Sequence, residues 1–274
     1  MKMRMIAVGL AAAVAFSLGG CAPASTDTVA DSPDASTQAG LTLAQVKKAG
    51  VLVVGTEGTY KPFSYHADGT GALTGYDVEI VTAVAKKLGV DVKFQETQWD
   101  AIFAGLEAGR FDVIANQVSV NPERSAKYDF SDPYTVSPGV IVVKSTDDSI
   151  HSFKDLAGKR TAQSLTSNWY TMAQDNGAEV EGVEGWAQAV ELLKQGRVDA
   201  TINDNLTYLD YVKGSGEKDL KIAATTDDPS LSALAFVKGS TDLVEAANAA
   251  LKELRADGTL AAISTKYFGE DVSE

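Results

Sequence analysis

The sequence has 274 residues, with 24 Lys and Arg against 37 Asp and Glu, two histidines and a single cysteine. A net charge of −13 argues against a nucleic-acid partner, because proteins that bind phosphate backbones carry a basic footprint. One cysteine excludes an internal disulfide and any CxxC motif, and with only His66 and His151 beside it no zinc site or other cofactor is expected.

The first five residues form a short basic head containing Lys2 and Arg4. Ile6 to Leu18 is then almost wholly apolar, but shorter than the roughly 20 residues a membrane-spanning helix needs. A basic head, a short apolar run and small residues form the signal-peptide pattern. The small residues Leu18, Gly19 and Gly20 run directly into Cys21. This block resembles the lipobox of bacterial lipoproteins, which implies a signal peptide over 1–20 and lipidation of Cys21; an ordinary secretory signal is the alternative. Residues 21–40 are rich in Ala, Ser, Thr, Asp and Pro, with Val29 the one large aliphatic. Such a segment buries too little surface to offset its ordering entropy and reads as a tether of about 25 Å. The expected arrangement is a folded domain held outside the cell membrane by a lipid anchor.

From residue 41 onward strands and helices alternate. Val51–Val54 reads as a buried strand, Asp77–Leu88 as a helix closed by Gly89, and Val90–Phe94 as a second strand. Trp99–Ala108 is helical and Phe111–Ala115 is the next strand. This alternation predicts an α/β fold with a mainly parallel sheet. The pattern then repeats. Trp99 to Asn116 and Trp186 to Asn203 each run from a Trp through a Gly-Arg-x-Asp turn into a strand, at one constant offset. Two related lobes follow from that match. Ligands of open α/β sheets lie beyond the carboxyl ends of strands. Asn116 and Gln117 in one lobe would then face Asn203 and Asp204 in the other, with Glu57 and Ser164 lining the same cleft.

Several side chains there could carry chemistry. Asn121 and Pro122 signal a helix start, which places Arg124 in a first turn where a cation opposes the helix dipole. A bound carboxylate would offset that cost; pairing with Glu123 or Asp129 at the surface is equally open. Ser164, Thr166 and Ser167 could cradle an anion at a second helix start or simply cap it. Asp204 suits an ammonium group or a helix cap. Glu57 stands with Tyr60 and Phe63 in a loop marked by Gly58 and Pro62. Glu57 and Asp204 could do acid–base work, but holding a cationic ligand is favoured. No GxSxG, no Walker P-loop and no histidine near the cleft support a hydrolase or nucleotide enzyme.

Four blocks resemble bacterial extracellular solute-binding proteins of family 3, the amino-acid receptors of ABC importers. They are Gly55–Phe63, Leu73–Glu79, Val120–Arg124 and Tyr128–Tyr134, and the likeness covers almost all of 41–274. It implies a type II periplasmic-binding-protein fold with two crossover hinge strands, near Pro133–Val140 and Leu231–Phe236. Lobe 1 would be 41–136 with 235–274, and lobe 2 would be 137–234. It also implies that Arg124 grips the ligand carboxylate with Ser119 and Thr166, and that Asp204 takes the ammonium. Tyr60, Phe63 and Trp99 would pack the side chain, and Glu57 a polar end. Gln95–Asp100, Gln117–Asn121 and Ala162–Asn168 look like the cystine-binding branch, with the Asn116 and Gln117 amides at the distal groups. The implied partners are an amino acid, an ABC permease and its ATPase, with the binding protein a monomer and not an enzyme. A dehydratase-like secreted enzyme on the same fold, or a sensor without a transporter, are the competing readings.

Overall fold

The computed structural model describes residues 40–274. The signal-like head, Cys21 and the rest of the acidic tract up to residue 39 lie outside the described residues. Among the described residues no helix is long and apolar enough to cross a membrane.

The chain begins α1 (Leu43–Ala49), β1 (Val51–Thr56), β2 (Thr59–Tyr60), β3 (Ser64–His66), β4 (Leu73–Thr74), α2 (Tyr76–Leu88) and β5 (Asp91–Glu96). It continues α3 (Trp99–Glu107), β6 (Val113–Ser119), α4 (Pro122–Lys127), β7 (Tyr128–Phe130) and β8 (Thr135–Lys144). Then come β9 (Arg160–Gln163), α5 (Asn168–Asp175), β10 (Glu179–Gly182), α6 (Trp186–Gln195), β11 (Ala200–Asp204) and α7 (Asn205–Ser215). The strand β12 (Leu220–Val237) and helices α8 (Thr241–Ala256) and α9 (Thr259–Phe268) complete it.

One large sheet has the order β10-β9-β11-β8-β12-β6-β1-β5, with β7 also on β12. Within each half the sheet is parallel: β1 pairs β5 and β6, and β9 pairs β10 and β11. The centre is antiparallel, because β8 and β12 pair with each other and with β11 and β6. The expectation of a mainly parallel sheet therefore holds for each half and fails at the junction. There the chain enters the second half along β8 and returns along β12, which run in opposite directions. They are the two crossover strands expected of a type II periplasmic-binding-protein fold.

Alternation along the strands sends side chains to helices on both faces. In β1 and β6, Leu52, Val54, Val113 and Ala115 pack with α2, α8 and α9, whereas Val53 and Ile114 pack with α3. In β8, Val140 and Val142 pack with α6 and Tyr208 of α7, whereas Ile141 and Val143 pack with Ala173 of α5. Strands covered on both faces need continuous apolar runs, and these have them. The helix ends follow local chemistry. Gly89 adopts a left-handed φ of 78° after α2, and Asn121 caps α4 with Pro122 at its first position.

The repeated Gly-Arg-x-Asp turn does one structural job twice. A carboxylate oxygen of Asp112 accepts from the Val53 amide at 2.8 Å, and one of Asp199 accepts from the Arg160 amide at 2.8 Å. Each aspartate pins the strand end of its helix–strand unit to the neighbouring first strand. Replacing Asp112 by Ala leaves the Val53 N–H unmet, so denaturant unfolding should show a loss of about 1–2 kcal/mol. An unchanged unfolding midpoint would show that this bond contributes nothing.

Candidate functional site

A cavity of about 260 Å³ opens between the two halves of the sheet. Glu57, Tyr60, Trp99, Asn116 and Gln117 line it from the first half, and Ser164 lines it from the second. Those six were expected from the sequence. Arg124, Ser119 and Thr166 are grouped together, and neither they nor Asp204 line the cavity itself. Phe63 is elsewhere: its ring is wholly buried in the first core, 5.0 Å from Tyr60 and 5.9 Å from Phe268. An aromatic placed between the small β2–β3 sheet and α9 fills core rather than cleft.

Arg124 is 7 % exposed. Its guanidinium donates to the Ser119 carbonyl at 3.0 Å and to the Thr166 carbonyl at 3.2 Å. The rings of Trp99 and Phe103 stand 5.3 and 5.2 Å from it. The surface alternatives are closed: Glu123 pairs with Lys127 and Asp129 with Lys238. Among the described residues no carboxylate lies within ion-pair distance of Arg124. Burial without such a partner draws its pKa down to about 10.

The opposite charge is in the second half. Asp204 is 5 % exposed and accepts from the Ser137 hydroxyl at 2.7 Å and the Leu206 amide at 2.8 Å. It is thus the N-cap of α7, and also an anion without a cation among the described residues. Burial raises its pKa to about 6, against these hydrogen bonds. Glu57 accepts from the Asn116 amide at 2.6 Å, while burial, and secondarily Asp100, push it up to about 7.

Gln117 holds an unusual backbone. Its φ is +49°, in the left-handed region that non-glycine residues seldom occupy. Asp77, fully buried at the start of α2, accepts from both the Gln117 amide N–H at 2.7 Å and its side-chain Nε2 at 2.6 Å. Pairing of β6 to β1 stops at Ile114, and Val118 and Ser119 at its far end pair with β12. Burial pushes Asp77 up to about 7.

The hydroxyl run of the second half is fully engaged. Ser167 caps α5, Thr166 donates to Asp100 of α3 at 2.7 Å, and Ser164 donates to the Glu184 carbonyl at 3.0 Å. The reading of this run as a ready anion cradle gives way to capping and cross-cleft bonding. The Asp100–Thr166 bond joins the halves, as do Tyr60 to Asn203 at 2.9 Å and to Thr207 at 3.0 Å. Gln163, Trp169, Trp186 and Asn203 also line the cavity. Asn203 is where its strand end was expected to face the cleft, whereas Trp186 is marked in the sequence only by the repeat. Gln163 falls within the Ala162–Asn168 block but was given no role of its own, and Trp169 carries no sequence signal, since its placement depends on how α5 packs on β9.

Comparison with known proteins accords with this geometry. Residues 52–270 match the model of the bacterial extracellular solute-binding proteins, family 3. The chain belongs to that family. It is 56% identical over 231 residues to the L-cystine-binding protein TcyA of Bacillus subtilis, covering 84% of this chain and 86% of that one. Among solved structures it resembles the L-cystine solute receptor of Neisseria gonorrhoeae in its unliganded open conformation, at 47% identity and TM-score 0.58, covering 85% and 99% of the chains. An ancestral arginine-binding protein bound to arginine superposes better, at TM-score 0.75 despite 39% identity, covering 80% and 99%. The better fit to a ligand-bound relative agrees with the hydrogen bonds that join the halves of this family-3 domain across its cleft.

The raised carboxyls predict a pH dependence. Glu57, Asp77 and Asp204 bind protons more tightly folded than unfolded. Between about pH 4 and about 7 the folded form keeps protons that the unfolded chain has lost, so stability falls as pH rises. Ligand-free protein should therefore melt several degrees higher at about pH 5.5 than at about pH 7.5 by calorimetry, and Glu57→Gln should flatten the slope. A melting temperature that does not move between these values counts against the raised carboxyls.

Proposed function

We propose that this chain is the substrate-binding lipoprotein of an ABC importer and that it captures cystine in the interlobe cleft. The observation that carries the reading is the pair of unmatched buried charges. Arg124 in one half lacks a carboxylate, and Asp204 in the other lacks a cation, among the described residues. An α-amino acid presents both missing partners on one carbon. Its carboxylate meets the planar fork of Arg124 beside Ser119 and Thr166, and its ammonium meets Asp204. The two contacts come from opposite halves, so a bound zwitterion holds the cleft shut. Water leaves as it closes, which strengthens both pairs.

In this reading the first lobe is 41–136 with 235–274 and the second is 137–234, hinged on β8 and β12. Tyr60 and Trp99 flank the ligand chain. Cystine is doubly zwitterionic, so it needs polar groups at its far end as well. Glu57, raised to about 7 by burial, is placed to take a second ammonium, with the Asn116 and Gln117 amides beside it. The names of the Bacillus subtilis and Neisseria gonorrhoeae relatives point to the same ligand. No turnover is proposed: the ligand leaves unchanged for the permease. Cys21 anchors the domain outside the membrane through a lipid, and the acidic tether lets it reach the transporter.

Three outcomes are expected. In a thermal-shift screen of amino acids, cystine should raise the melting temperature, because it binds only the folded state; a strong shift by arginine or glutamine with none by cystine would overturn the ligand. Arg124→Ala should weaken binding at least a hundredfold by calorimetry, about 3 kcal/mol, with the melting temperature of the free protein kept. Binding within a few-fold of the unaltered protein would remove Arg124 from the site. Cys21→Ser should release the protein from membranes on cell fractionation, and full membrane retention would refute the anchor.

A further inference from the structure

The cavity extends past the cleft into the second half, to the junction of β9 and α6. Gln163 is the last residue of β9 and is 3 % exposed. It lines the cavity, yet its side-chain Nε2 has no hydrogen-bond partner. A buried amide donor left unmet costs free energy, and it marks a position at which a partner from outside the fold belongs.

The facing element supplies the rest. Helix α6 starts at Trp186, and its N-cap, Gly185, offers no side-chain acceptor. The first-turn amides of a helix have no partner within the helix and carry its positive partial charge. The first turn of α6 contains no acidic residue, and Trp186, Ala187 and Gln188 all line the cavity. The indole Nε1 of Trp186 is also buried without a partner. Glu184 lines the same end but is exposed, so water screens its charge. Gln163, Trp186 and the rest of the first turn of α6 therefore line one end of the cavity together.

We propose that this end is a second carboxylate subsite, formed by Gln163, the first turn of α6 and the Trp186 indole, and that it takes the distal carboxylate of the ligand. It rests on the cystine reading and adds the element that selects a dicarboxylate. Arg124 holds one carboxylate from the first half, and β9 with α6 holds the other from the second. A monocarboxylate amino acid satisfies Arg124 and leaves the donors at Gln163 unmet.

The test is calorimetry with two ligands, L-cystine and the mixed disulfide of cysteine with cysteamine, which lacks only the distal carboxylate. Gln163→Leu should weaken cystine binding about tenfold to a hundredfold while changing the mixed disulfide less than about twofold. Gln163→Glu keeps the shape and places a like charge there, so it should lose cystine further and retain the mixed disulfide. Melting curves of both variants establish that they are folded, and the unaltered protein should itself prefer cystine about tenfold or more. Equal losses for both ligands, or no loss for cystine, overturn the subsite. Failure of the unaltered protein to bind cystine overturns the cystine reading instead and takes this subsite with it.

Discussion

Arg124 is a guanidinium ion withdrawn from water and given carbonyls and aromatic faces instead of a carboxylate. Two carbonyl oxygens, of Ser119 and Thr166, and the rings of Trp99 and Phe103 are its immediate partners. Those contacts soften the desolvation of the cation but do not neutralise it. Much of the site is arranged around holding it there. Asn121 caps α4 by accepting from the Arg124 amide, which fixes the residue at the helix start. The Thr166 carbonyl reaches it only because α3 and the start of α5 meet across the cleft, where Asp100 accepts from Thr166.

The acidic side of the cleft answers to the same constraint. Glu57, Asp77 and Asp204 are each raised by burial. Their hydrogen bonds come from neutral amides and hydroxyls, and no lysine or arginine is paired with them among the described residues. They do different work. Asp77 restrains Gln117 in its left-handed backbone. Asp204 caps α7 while facing the interlobe region. Glu57 is clamped by Asn116 at the cavity wall. The protein thus holds buried charges of both signs that are not paired with one another.

The two halves are joined through the junction strands. β8 and β12 are the two connections between the halves, and their pairing shifts register twice, each time through extra residues on β12. Gly139 on β8 sits where a Cβ would lie 2.5 Å from the Trp169 ring. Glycine is required there for the indole at the cavity wall to lie against the strand. Interlobe bonds of Tyr60 with Asn203 and Thr207 add little individually, since each replaces a bond to water. Together they link the halves across the cleft.

The sequence by itself determined the helix–strand alternation, the caps at Gly89 and Asn121, the internal repeat and the residues Glu57, Tyr60, Trp99, Asn116, Gln117 and Ser164 at the cavity. These are local matters: periodicity, turn chemistry and strand ends are written in neighbouring residues. It left the partner of Arg124 open, because Glu123 and Asp129 are both near along the chain and only packing shows them paired with lysines. It sent Phe63 to the cleft, because a loop aromatic looks alike whether it faces core or solvent. It assigned no role to Gln163 and held no sign of the Asp77–Gln117 clamp. Those depend on contacts between residues far apart in the chain, set by which face of α6 lies over β9 and by where α2 begins beneath β6. Only the tertiary structure decides such distances, because they follow from how whole elements pack and not from the preference of any one segment.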